Sequence, residues 1–164
     1  MDRPVGTNLP ATMTGQVKRA AIRGLGVHIP ERILTNDDLA RMVDTTDEWI
    51  TARTGIKRRH LAAPDQSTGD LALLAAERAL ASAEMDAADL DLIIVGTATP
   101  DHYFPATACL VQERLGAKRA GAFDLLAACS SFVYGLIGAG QLIASGTIRN
   151  ALVIGAETLS RLID

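Results

Sequence analysis

Leu92-Ile-Ile-Val-Gly96 offers no polar side chain to face water. A strand wet on one side alternates apolar and polar residues, so a continuous apolar run predicts a strand covered on both faces. Such a strand needs helical layers above and below it. The flanking sequence supplies them. Residues 120–126 and 151–155 read as two more strands, and Pro105 opens a helix that Gly116 closes. A helix is predicted over 130–145 with Gly146 as its C′ residue, and another opens at Ser67-Thr-Gly-Asp70 and runs to about residue 83.

Earlier in the chain, residues 19–28 read as a short strand ending at Pro30. Asn36 is a candidate cap for a short helix reaching residue 43. Thr45 or Thr46 is the candidate cap of the next, with Asp47 and Glu48 favourably placed in its first turn and Gly55 at its end. This order of strands and helices predicts a layered α/β domain with a largely parallel sheet.

The 164 residues suffice for one domain with a proper core. Apolar residues make up 48% and aromatics 4%, so the core must be built from closely packed Ala, Leu, Ile, Val and Gly. Residues 1–17 are polar and rich in Pro, Gly and Thr, which predicts a flexible tail rather than a signal peptide and leaves 18–164 for the domain. Two cysteines make no disulfide framework, and no Cys/His spacing suits a metal. A net charge of −3 gives no reason to expect nucleic acid, and no run approaches the roughly 18 apolar residues of a membrane span. A reducing cytoplasm is the expected setting.

Cys129 lies where the strand 120–126 breaks into a helix rich in small residues. A thiol at a helix N-terminus faces unpaired backbone N–H groups and the positive end of the macrodipole, an arrangement that in general favours the nucleophilic thiolate. A lone cysteine in an apolar segment is more often a buried, inert small hydrophobe. Cys109 fits that description, being expected in mid-helix among Ala108, Leu110 and Val111. Three glycines, Gly135, Gly138 and Gly140, interrupt the helix after Cys129, so either a crowded core or a partner subunit is expected against it.

Three segments carry a resemblance to a known family: Asp44-Thr-Thr-Asp-Glu-Trp-Ile-Thr-Ala-Arg-Thr-Gly-Ile-Lys-Arg-Arg-His-Leu-Ala-Ala-Pro, Phe104-Pro-Ala-Thr-Ala-Cys, and Ala122-Phe-Asp-Leu-Leu-Ala-Ala-Cys-Ser-Ser-Phe. Together they resemble beta-ketoacyl-acyl carrier protein synthase III, a thiolase-fold condensing enzyme, in its N-terminal portion. The resemblance implies that Cys129 takes an acyl group from acyl-coenzyme A and passes it to the carbanion of decarboxylated malonyl-acyl carrier protein. No cofactor is implied, since the coenzyme A thioester is a substrate. Thr45, Trp49 and Arg53 match positions that hold the adenine of coenzyme A. Trp49 and Arg53 stand four apart and so share a helix face, offering two flat groups on which a purine can stack. Phe104 matches a position that reaches across a homodimer interface into the neighbouring acyl pocket. Lys57-Arg58-Arg59 is either a landing site for acidic carrier protein or coenzyme A phosphates, or a solvated surface.

Other features depart from the family pattern. Its chain is roughly twice as long, and its catalytic His and Asn come from a second half. Here His28, His60 and His102 all precede Cys129, and Asn150 is the one Asn after it. The family's thiolase-like half also has a further strand beyond Asp164, so an incomplete sheet with an open edge is expected. Ser131 stands where the family usually has Gly, which is expected to narrow the acyl pocket. Three readings stay open: a synthase III portion inactive alone, a non-catalytic half-domain that binds acyl-coenzyme A or a full-length synthase, and a polyketide-type starter condensing enzyme. A cysteine hydrolase is excluded because Ala127 and Ser131 occupy the sites where a nucleophile elbow needs glycine.

Overall fold

All five residues of β3 (Leu92–Gly96) are buried. The strand lies between β4 (Gly121–Leu125) and β5 (Ala151–Gly155) and runs parallel to both. Its two faces divide the core. Ile93 and Val95 pack with Ala72, Leu73 and Ala76 of α3 (Thr68–Ala83) and with Ala108 and Val111 of α4 (Thr107–Leu115). Leu92 and Ile94 pack on the other side with Ala139 of α5 (Ser131–Ala144). The layered α/β arrangement read from the sequence is the one found.

The computed structural model describes residues 19–162. The flexible tail expected over 1–17 lies outside the described residues, as do the outermost positions of the 18–164 domain. Residues 19–30 form no strand ladder. The chain instead lies against α3, where Gly24 and Gly26 leave no room for a Cβ. Its backbone groups turn to side chains there: Leu25 N–H donates to Ser82 Oγ at 3.4 Å, and Arg78 donates to the Val27 carbonyl.

Two short strands went unpredicted. β1 (Arg32–Thr35) pairs antiparallel with β2 (Arg58–Leu61), and the helices α1 (Asn36–Ala40) and α2 (Asp47–Thr54) lie between them in the chain. Thr35, not Asn36, caps α1: its hydroxyl accepts the Asp38 N–H while the Asp38 carboxylate accepts the Thr35 N–H. Asn36 is thereby the first residue inside the helix, and its side chain is buried. Thr46 caps α2 by accepting the Trp49 N–H at 3.1 Å, and Gly55 ends it at φ 71°. Ser67 and Asp70 form a second capping box at the start of α3.

The glycines of α5 divide by position. A Cβ on Gly135 would sit 2.8 Å from Val153 of β5, so the core crowds it, whereas nothing lies within 4 Å of one on Gly138.

Candidate active site

The three parallel strands end together, with Gly96 opposite both Leu125 and Gly155. In open parallel sheets the loops leaving the carboxyl ends of the strands form the binding crevice. Cys129 sits at that end. It lies in a short 3₁₀ turn (Ala128–Ser130) between β4 and α5, and its side chain is exposed. Ala128 holds the left-handed region at φ 47°, which for a residue with a Cβ costs about 1–2 kcal/mol. The first turn of α5 has no side-chain cap and no carboxylate, so its N–H groups remain available to negative charge.

One residue the sequence reading passed over, Asp124, and one it read differently, Ser131, shape the surroundings of this turn. Asp124, the fourth of the five residues of β4, carries a carboxylate that accepts the N–H groups of Thr107 and Ala108, both at 2.8 Å. It thus does for α4 what its N-cap Ala106 cannot. A lone Asp inside an apolar strand was the available signal. Ser131 is 2% exposed, and its hydroxyl accepts the Ala127 N–H at 2.8 Å. Its Cβ meets the space that a side chain on Gly96 would fill. The Ser131 side chain thus turns inward and closes the turn.

Cys109 also departs from expectation. It is the third residue of α4 rather than a mid-helix one, because the helix starts at Thr107 and not at Pro105. Its thiol is directed at the Ala122 carbonyl of β4, 3.7 Å away.

Arg53 lies with its guanidinium 4.5 Å from the centre of the Trp49 ring. The two share a face, as their spacing requires, and one face of the indole is taken by the arginine. Trp49 is 55% exposed, so its ring lies at the surface and not in the core. Beside it lies a groove of about 610 Å³ lined by Thr45, Trp49, Ile50 and Arg59. The Thr45 hydroxyl is buried there with no hydrogen-bond partner among the described residues. A second groove of about 750 Å³, lined by His28, Pro30, Leu61 and Gln66, contains neither cysteine.

Phe104, in the loop after β3, is 90% exposed, and its neighbour Tyr103 is fully so. Leu126, Val133 and Ile137 are also exposed apolar residues. Of the basic run, Lys57 and Arg58 are exposed, while Arg59 is spent on Asn36. His60 Nδ1 pairs with the Pro30 carbonyl, and Asn150 Nδ2 donates to the Asp89 carbonyl. Among the described residues no cluster of His, Cys, Asp and Glu suits a metal ion, and no helix is long and apolar enough to cross a membrane.

The family model for 3-oxoacyl-[acyl-carrier-protein (ACP)] synthase III matches residues 123–164, the stretch that carries Cys129. Over 145 residues the chain is 59% identical to the beta-ketoacyl-[acyl-carrier-protein] synthase III of Xylella fastidiosa, an alignment covering 88% of this chain and 45% of that protein. The chain belongs to the synthase III family. Another synthase III, from Caldanaerobacter subterraneus subsp. tengcongensis, is 58% identical over 88% of this chain and 44% of its own length. The chain thus spans a little under half the length of these synthase III relatives and corresponds to their N-terminal portion.

Solved structures agree on the thiolase-like fold. The 3-oxoacyl-[acyl-carrier-protein] synthase III of Aquifex aeolicus superposes with a TM-score of 0.85 at 52% identity, over 87% of this chain and 46% of that one. The priming beta-ketosynthase of the R1128 polyketide pathway gives 0.88 at 35% identity, over 94% and 46%.

Proposed function

We propose that this synthase III chain carries the nucleophile of a condensing acyltransferase that starts fatty acid synthesis, with Cys129 as the acceptor of the primer. The observation that supports this most is the placement of one exposed thiol at the carboxyl end of β4, directly before a helix with uncapped N–H groups. The Cys129 sulfur attacks the carbonyl carbon of an acyl-coenzyme A. The new C–S bond forms as the bond to coenzyme A breaks, and coenzyme A leaves as its thiol with the proton that Cys129 gave up. Malonyl-acyl carrier protein then loses CO₂, its carbanion attacks the acyl-Cys129 thioester and expels Cys129 as thiolate, 3-oxoacyl-carrier protein departs, and a proton from solvent restores the thiol. No cofactor takes part.

Thr45, Trp49 and Arg53 form the adenine end of the coenzyme A site. The partnerless Thr45 hydroxyl and the open face of the indole support that assignment. Phe104 and the apolar surface at Leu126 and Ile137 belong to a homodimer interface, where Phe104 reaches the partner's acyl pocket. Stabilising the carbanion needs hydrogen-bond donors, which the family resemblance assigns to a second half, so condensation draws on the remaining length of the family. A cytoplasmic setting goes with this reading, and the two free thiols and the substrate class support it.

A polyketide-type starter synthase is the second reading, supported by the likeness to the R1128 priming enzyme. Both readings share Cys129 and differ in the carrier protein served. The test is release of free coenzyme A from acetyl-coenzyme A. Stoichiometric release that survives Cys109→Ala and is lost in Cys129→Ala supports the proposal. Release that survives Cys129→Ala contradicts it.

A further inference from the structure

The helix that presents Trp49 and Arg53 has little apolar hold on the protein. Of the eight residues of α2, Ile50 alone is buried, and a helix so short has no stability of its own in water. Its inward face is held by polar contacts that converge on one side chain. Asn36, 2% exposed, donates from Nδ2 to Asp47 Oδ1 at 2.7 Å and to the Ile56 carbonyl at 2.9 Å, with Thr51 Oγ1 at 3.4 Å. Its Oδ1 accepts from Arg59 of β2. One amide thus grips α2 at its first residue, grips the chain just past the Gly55 cap, and ties both to the β1–β2 pair.

Asp47 and Thr51 stand four apart on that gripped face, which leaves Trp49 and Arg53 on the opposite one. We propose that Asn36 is a positioning residue: it sets the height and rotation of α2 and so aims the Trp49–Arg53 pair at an adenine nucleotide. This rests on the adenine reading of that pair given above. Only an amide suits the place, because it must donate toward Asp47 and accept from Arg59 at once. A carboxylate there would set two negative charges face to face.

Trp49 is the one tryptophan in the chain, so its fluorescence reports the platform directly. The whole protein is titrated with adenosine 3′,5′-bisphosphate, and Trp49 anisotropy and acrylamide quenching are also read without nucleotide. Asn36→Ala and Asn36→Asp are expected to lower the anisotropy, raise the quenching and weaken nucleotide binding by about tenfold. Asp47→Ala removes the partner from an exposed position without hollowing the fold and is expected to weaken binding about threefold. Adding Asp47→Asn to Asn36→Asp reverses donor and acceptor and is expected to recover part of the loss. Alkylation of Cys129 by iodoacetamide stays within about twofold throughout, since a positioning role does not touch the thiol. Folded Asn36→Asp and Asp47→Ala proteins with unchanged anisotropy and unchanged binding overturn the proposal. Unchanged nucleotide affinity on losing Trp49 overturns the adenine reading instead, and the ligand-free anisotropy then still decides the role of Asn36.

Discussion

Ser131 Oγ accepts the Ala127 N–H at 2.8 Å, which ties the start of α5 to the residue two before Cys129. Between the ends of that bond the chain carries a left-handed alanine, Ala128. The bond and the packing against Gly96 hold the turn in a shape it would otherwise leave. Ser131→Ala leaves the Ala127 N–H without its acceptor, so a loss of about 1–2 kcal/mol of stability is expected. Coenzyme A release should slow with it as the thiol loses its fixed place. Denaturant unfolding and the release rate check both, and a variant unchanged in each removes Ser131 from the account.

Asp124 holds two ends of the site with one carboxylate. It caps α4 and anchors the carboxyl end of β4 five residues before the nucleophile. Asp124→Ala is expected to cost about 1–2 kcal/mol, the upper range for a lost helix cap. Asp124→Asn keeps one acceptor and should cost less. Thermal unfolding of the two variants gives the order directly.

Arg53 stacks on Trp49 through a guanidinium that is flat and always charged. Arg53→Lys keeps the charge and loses the plane. An exposed cation–π contact contributes about 0.5–1 kcal/mol, so adenine nucleotide affinity is expected to fall by about two- to fivefold. Trp49 emission should shift as the cation leaves the ring. Calorimetric titration with adenosine 3′,5′-bisphosphate measures the first effect and fluorescence the second.

Acid should unfold the domain through its capping carboxylates. The Ser67 N–H, then the Arg114 guanidinium, hold Asp70 below its ordinary value of 3.8. The N–H groups of Arg149 and Asn150 do the same for Asp91, which joins the starts of β3 and β5. A carboxyl group depressed in the folded state contributes stability above its unfolded pKa and loses it as pH falls through the folded one. The melting temperature is therefore expected to hold from neutral pH down to about 5 and to fall below about 4. Asp70→Asn with Asp91→Asn should flatten that fall, and an unaltered slope in the double variant would contradict these assignments.

Much of the sheet could be read in advance because its code is local. β3 and β5 appear within the predicted bounds, since a covered strand leaves a continuous apolar run. The caps at Thr46 and Ser67 and the left-handed Gly55, Gly116 and Gly146 are also local signals. What escaped depends on distant partners. β1 and β2 are four residues each, mostly exposed and with three arginines between them, and only their pairing makes them strands. Residues 19–28 carried a strand-like pattern, yet a strand needs a ladder and this segment meets a helix. The roles of Asn36, Asp124 and Ser131 come from contacts across 4 to 23 residues that no spacing rule announces.

Tandem mass spectrometry of the protein quenched in acid after mixing with acetyl-coenzyme A tests the central assignment most directly. The account predicts a single acetyl group, labile to hydroxylamine, on the peptide containing Cys129. An acetyl thioester found on Cys109 instead, with Cys129 unmodified, would contradict it.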